Sequence, residues 1–540
     1  MKTARRAKTD EGISASLCRA AIGAVASCLP ALSAVAGALF FAVALCAVPG
    51  PSLPVVSFSY ADVVAQARAL AAAPYAPERE QVPRFYLELF TEQFREIRFR
   101  PEKSIWNGTD SPWRMRLLHP GLSYNRVARL FTVEEGRARE LRYDPERFSF
   151  GTIATRPAER PGGHAGFSLH TSGEASGSAS EAVVAFVGGS HLYCIPAGVG
   201  AVHGVSARGI AINTALRDLT EDFPFFKKYW IERQPAGSAH AVVYALMDSP
   251  HVCGAYRFVI TPARRTTAEV EVVFFVREKM ARLGLAPLSA MYWFGENTLR
   301  KPDDFRREVH SADGLLFKEA AGSVRWRPLG NGDATRHSTF AVENLAGFGL
   351  RQRDTAFASY QDIEGAWHRR PGTWVEPLEG WSRGTLHLIE QPASQETWEN
   401  VVCYWQPEPL PAAGTALKLR YRVTWAREKD FPETALAHVL ATHAGRKVGA
   451  ANQRNYVVDF SPLSVGTGAV AATVTAHVAV TGGAQLGKQR LLFNNETQGW
   501  RLVLEIKPYS SDASYEMKAV LRRDGRDVSE YWDYMESGVR

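Results

Sequence analysis

The sequence predicts an all-β protein, a large antiparallel β-sandwich followed by a small immunoglobulin-like one. Three observations point there. Apolar and polar residues alternate with period two along many segments, as strands with one buried face require. Gly, Pro, Asn and Asp punctuate those segments at short intervals. Helical periodicity is scarce, and the regular strand-then-helix order of a parallel α/β sheet is missing. The 540 residues suffice for more than one core, and 46% hydrophobic against 22% charged residues exclude a disordered or fibrous chain. Sixty-three basic residues face 56 acidic ones, a mixed surface that implies no nucleic-acid partner.

The elements follow in order. Lys2, Arg5, Arg6, Lys8 and Arg19 precede an apolar run that ends near Cys46-Ala47-Val48-Pro49-Gly50. This is the layout of an export signal, so residues 1–56 are read as a signal or, since Ala31 to Val48 is unbroken, an uncleaved N-terminal anchor. Ser59-Tyr60-Ala61-Asp62 has the form of a helix cap before Val63 to Ala73, and Pro74 ends that one short helix. Val270 to Val276, rich in β-branched and aromatic residues, suits a strand covered on both faces. Leu417, Leu419, Tyr421, Val423 and Trp425 alternate with polar residues as a half-buried strand. Glu428-Lys429-Asp430-Phe431-Pro432-Glu433 is a polar link. Beyond it Val470 to Thr481, Arg501 to Lys507 and Glu516 to Arg522 read as strands, and Arg523-Asp524-Gly525-Arg526 supplies a hairpin turn. The expected division is 57–427 for the large sandwich and 428–540 for the link and the small one.

Cys18, Cys28 and Cys46 lie in the export segment, which leaves Cys194, Cys253 and Cys403 as small buried hydrophobes. With no CxxC pair or Cys/His cluster, neither a metal nor an organic cofactor is expected. The run from Gly198 to Gly204 has its third glycine one residue late for a dinucleotide loop and reads as a turn. GxSxG, P-loop and HExxH patterns are absent. What stands out is a concentration of aromatics and arginines: Tyr292, Trp293, Arg351, Tyr360, Trp367, Arg370 and Trp374. Sugar rings pack apolar C–H faces on aromatic planes, and their hydroxyls need fixed donors and acceptors, so Tyr292, Trp293, Arg351, Tyr360, Arg370 and Trp374 are candidate cleft residues. Glycosidic cleavage needs a carboxylic acid for the leaving oxygen and usually a second carboxylate. Asp313, Asp362, Glu364, Glu396 and Glu399 are candidates, and spacing alone does not choose among them.

Several strings resemble the periplasmic glucan biosynthesis protein G/D family. They include Gly204-Val205-Ser206-Ala207-Arg208-Gly209, Tyr229-Trp230-Ile231-Glu232-Arg233, Gly254-Ala255-Tyr256-Arg257-Phe258, Trp326-Arg327-Pro328-Leu329 and Gly347-Phe348-Gly349-Leu350. Tyr404-Trp405 and Gly499-Trp500-Arg501-Leu502 continue them in the family's order to the C-terminus. The resemblance implies a large sandwich linked to an immunoglobulin-like one, a periplasmic location, and β-1,2-glucan as ligand. Family members hydrolyse it with inversion or transfer it to a sugar hydroxyl.

The resemblance also maps site residues. The family's general acid is an Asp in a segment like E-T-x-D-N, which reads Glu396-Thr397-Trp398-Glu399-Asn400 here and puts Glu399 at that position. Its general base is an Asp directly after His, and here His310 is followed by Ser311. A hydroxyl does not deprotonate water usefully at pH 7, so Asp313 two residues on is the substitute candidate. Asp362 joins the candidate substrate-binding set. The leading reading is a glucan-processing enzyme that transfers or cleaves β-1,2-glucan. The alternative is a non-catalytic glucan-binding or assembly factor working with the inner-membrane glucan synthase.

Overall fold

A computed structural model describes residues 55–77, 81–153, 156–171, 182–196, 199–200, 202–299, 301–397, 399–432, 434–463 and 474–537. The export segment up to Pro54, part of the glycine run (Ala197, Gly198 and Ala201), residues 470–473 and Trp398 lie outside them.

The capped helix forms over Tyr60–Ala71, where the Ser59 amide donates to Asp62 Oδ2 at 2.7 Å and closes a capping box. Its apolar side, Val63 and Ala67, covers Trp230, Leu246, Ala255 and Phe275 on the outer face of the main sheet. That cover explains why Thr266–Val276 becomes apolar on both faces toward its end.

The large unit is a sandwich. Its main sheet runs, edge to centre, through Arg137–Leu141, Arg129–Glu134, Phe225–Glu232, Ala241–Asp248, Val252–Thr261, Thr266–Val276 and Ala416–Ala426. It continues through Gly372–Glu379, Leu345–Arg351, Gly314–Glu319 and Val324–Pro328. The facing sheet orders Arg336–Val342, Gly384–Glu390, Val401–Pro407, Leu283–Ala290, Ser206–Arg208, His191–Cys194, Ala182–Val187, Gly166–Thr171 and Trp113–Leu118. Phe186, Phe226, Tyr256, Phe274, Trp405 and Trp425 fill the space between them. Burying such side chains contributes about 1.5–3 kcal/mol each, which is what makes the alternation decisive. Cys194, Cys253 and Cys403 are free and buried, as small hydrophobes.

The small unit pairs Val439–Lys447, Ala450–Phe460, Gly499–Pro508 and Ala484–Asn494 in one sheet against Val474–Gly482, Tyr515–Arg523 and Tyr531–Glu536 in the other. Asp524 and Gly525 turn the hairpin with φ of 50° and 74°, as a two-residue turn of that hand requires.

One feature goes beyond two linked sandwiches. Val324–Pro328 pairs in parallel with Tyr531–Glu536, bringing Trp326 opposite Trp532, so the main sheet runs unbroken into the small unit. Leu316, Val324 and Trp326 of the large unit belong to the small unit's core. The link itself is a short turn, Glu428–Asp430. Arg351 clamps it, with Nη2 2.8 Å from Glu428 and its guanidinium 3.4 Å over the Phe431 ring.

Candidate functional site

Val401–Pro407 lies between Leu283–Ala290 and Gly384–Glu390, and the residue before it, Asn400, ties this strand end to Tyr292. Asn400 Oδ1 accepts from Tyr292 N at 2.8 Å, and its Nδ2 donates to Tyr292 O at 3.0 Å and Gln391 O at 2.8 Å. The backbone carrying Glu399 is therefore fixed on one side.

Glu399 is itself 9% exposed. Its Oε1 accepts from the Tyr193 hydroxyl at 3.0 Å and its Oε2 from the Ser206 hydroxyl at 3.2 Å. His191 Nε2 stands 3.8 Å away. Burial, with Arg208 adding to it, drops the His191 pKa to about 3, so the imidazole is neutral near pH 7. The two hydroxyls thus orient a buried carboxyl at the strand end.

Arg306 organises the rim. It donates to Asp304, Asp362 and Glu396, three carboxylates from three segments, one of them three residues before Glu399. Its guanidinium lies 5.6 Å from the Phe305 ring centre and 5.9 Å from that of Trp293. Burial pushes the Asp362 carboxyl up, but the Gly365 amide, Arg306 and the Trp367 indole hold it below the usual range.

A second cluster sits where the two units meet. The His310 ring stacks on Tyr292 at 5.1 Å, with Nε2 2.9 Å from Glu308 and Nδ1 3.0 Å from Gln352. Tyr292 donates to Asn297 Oδ1 at 2.5 Å, and Glu296 Oε1 accepts from Thr442 N of the small unit at 2.8 Å. Burial, reinforced by the Glu308 charge, pushes Glu296 well above the carboxylate range, whereas His310 keeps Glu308 ionised against its own burial. Asp313 Oδ2 accepts from the amides of Arg353 and Asp354 at 2.9 and 2.8 Å, while the buried Oδ1 has no hydrogen-bond partner among the described residues. Burial raises the Asp313 pKa to about 6. A space of about 20 Å³ between Glu296, Glu308, Asp313 and Thr442 has room for one water. Glu296, Glu308 and Asp354 place carboxylate oxygens within 4.8 Å of one another, the hard donor type that divalent cations take.

The residues named from sequence thus fall into groups. Tyr292 and Asp313 line the same small space as His310, and Tyr360, fully buried, accepts from Gln352 at 2.8 Å and donates to Asp354 O at 3.1 Å. Trp293 and Asp362 meet at Arg306. Arg370 is buried, donates to Gly365 O at 3.0 Å and stacks 3.7 Å over Trp367. Arg351 clamps the link, and Trp374 packs over Gly347 against the small unit's core, where a side chain at Gly347 would meet its ring at 2.3 Å. Ser311 Oγ accepts from Met291 N at 2.9 Å, so its hydroxyl is engaged with backbone.

Sequence reasoning missed Tyr193 and Ser206, which reach Glu399 from short core strands that carry no chemical signal. It also passed over Glu296 and Glu308. Glu308 is two residues before His310, the same-face spacing of an extended segment, which would have flagged the pair.

The chain also matches known proteins. The profile of the family described as "Periplasmic glucan biosynthesis protein, MdoG" matches residues 58–535. A "Glucans biosynthesis protein G" of Sodalis glossinidius is 36% identical over 497 residues, covering 90% of this chain and 94% of that protein. Its namesake of Ralstonia nicotianae is 36% identical, covering 89% and 96%. That of Pseudomonas aeruginosa PAO1 is 35% identical, covering 89% and 93%.

Proposed function

The chain belongs to the periplasmic glucan biosynthesis protein family, MdoG, and on that premise we propose that it works in the periplasm on β-1,2-glucan backbones, with Glu399 as proton donor. The observation that carries this reading is the Glu399 carboxyl, enclosed at a strand end and aimed by the Tyr193 and Ser206 hydroxyls. In the proposed step Glu399 gives its proton to the glycosidic oxygen as the bond to the anomeric carbon breaks. The incoming nucleophile attacks that carbon from the opposite face, inverts it and releases its own proton to solvent.

The nucleophile we assign is a glucan hydroxyl rather than water. Ser311 stands where the family carries a base, and its Oγ is engaged by Met291; Asp313 has one oxygen committed to two amides and the other shut in. Without a general base, a hydroxyl held in place by binding energy gains on free water, which favours transfer over hydrolysis. Incubation with linear β-1,2-glucan, read by chromatography and mass spectrometry, tests this: rearranged or cyclised chains are expected, lost in Glu399→Gln. Rapid release of reducing fragments that survives Glu399→Gln would overturn both assignments.

The hydroxyl at Ser311 also favours a second reading, a non-catalytic glucan-binding partner of the inner-membrane synthase. It predicts glucan affinity without turnover at any pH and indifferent to Glu399→Gln.

A further inference from the structure

At the end of the large sandwich away from the small unit, where the main sheet starts with Arg129–Glu134 and Arg137–Leu141, a cavity of about 920 Å³ opens beside the Ser104–Asp110 loop. It shares no lining residue with the Glu399, Arg306 or His310 groups. We propose that this cavity is a second carbohydrate-binding site, which holds a neutral oligosaccharide arm away from the Glu399 carboxyl.

Trp106 is the first reason. It lies in the wall with a backbone φ of 66°, a left-handed conformation that a bulky side chain adopts rarely and at a cost. The loop holds it there: Thr109 Oγ1 donates to Trp106 O at 2.8 Å and Asn107 N to Ser104 O at 3.1 Å. The residue is 7% exposed, yet its buried indole N–H has no hydrogen-bond partner among the described residues. The ring packs on the sandwich core, which requires neither the strained backbone nor the unpartnered donor, and strained backbone concentrates at ligand-holding positions.

Charge is the second reason, and it selects the ligand class. Four guanidiniums line the cavity, Arg137, Arg139, Arg147 and Arg233, against three carboxylates, Asp110, Glu134 and Glu135. Arg233 is spoken for by Asp110, and Arg147 donates to Lys103 O at 2.9 Å. The guanidiniums of Arg137 and Arg139 have neither a hydrogen-bond nor an ion-pair partner among the described residues. A wall of excess +1, with donors and acceptors interleaved around an indole, suits a neutral polyhydroxylated chain better than an anion. Cavities of about 300–1,000 Å³ take ligands of several rings, so this one exceeds the needs of a single hexose.

The choice of glucan as probe rests on the proposed function above. The test is isothermal titration of the full chain, as Glu399→Gln to prevent turnover, with a linear β-1,2-glucan oligosaccharide and separately with inorganic phosphate. Two glucan-binding events are expected. Arg137→Ala with Arg139→Ala removes one and spares the other, and Trp106→Phe, which keeps the ring and removes the N–H, weakens the same event. Identical titrations of the parent and the double-arginine variant, with turnover by the native chain intact, would overturn this site and leave the function standing. Phosphate binding that the double variant abolishes, with no second glucan event, would overturn the sugar assignment. A parent with no glucan binding and a native chain with no turnover would sink the proposed function as well.

Discussion

The Arg353 guanidinium donates through Nη1 and Nη2 to the two carboxylate oxygens of Glu530, 177 residues away, and so joins the large unit to the small one. The same guanidinium lies 3.7 Å over Trp326 and reaches Val439 O at 2.8 Å, while Glu530 accepts from Val439 N. Both side chains are almost fully buried.

Removing one partner strands a buried charge. Arg353→Met is expected to destabilise the chain by about 3–5 kcal/mol. Chemical denaturation followed by tryptophan fluorescence checks it, and Glu530→Gln is expected to fall in the same range. A loss below about 1 kcal/mol would mean that solvent reaches the pair.

At Glu399, replacement by Gln keeps an acceptor for Tyr193 or Ser206 and removes the proton. Turnover of β-1,2-glucan is expected to fall by about 10²–10⁴-fold with the melting temperature unchanged. Tyr193→Phe loosens the carboxyl and is expected to lower turnover more than binding, read as a kcat against KM split.

Arg306→Ala frees Asp304, Asp362 and Glu396 together and unties the segment leading to Glu399. A misplacement near 1 Å costs on the order of 10²-fold in rate. Loss of turnover with glucan affinity largely retained is expected; an unchanged rate would detach the rim from the chemistry.

Asp313 makes stability depend on pH. Its folded pKa of about 6 lies above the ordinary 3.8, so the stability it contributes is complete below 3.8 and is lost as pH rises through 6. The penalty above pH 6 is on the order of 2–3 kcal/mol. Asp313→Asn keeps an acceptor for the Arg353 and Asp354 amides, and is expected to flatten the pH profile between 4 and 6 and to stabilise the chain at pH 7–8.

What could be read beforehand was local. Leu417 to Trp425 alternate with the period their own strand imposes, and Ser59 with Asp62 marks a helix start within one turn. Glu399 was reachable through a string of neighbours, but its partners Tyr193 and Ser206 lie 206 and 193 residues away, and no short-range pattern encodes them. Arg351 and Trp374 have the residue types of a sugar cleft. Alternation says that one face of a strand is covered, not by what, and here the cover is the link and the small unit's core. The pairing of Trp326 with Trp532 was invisible for the same reason: it joins strands from opposite sides of the link.

That pairing has a bearing on how the chain is handled. A sheet that continues from Val324–Pro328 into Tyr531–Glu536 has no free rim at that place, because the small unit occupies the unpaired amides and carbonyls. Cutting at the link would expose the rim together with Trp326 and Leu316, an open template for another copy to pair with. The large unit expressed alone is therefore expected to aggregate, and the small unit acts as its built-in protection against self-association.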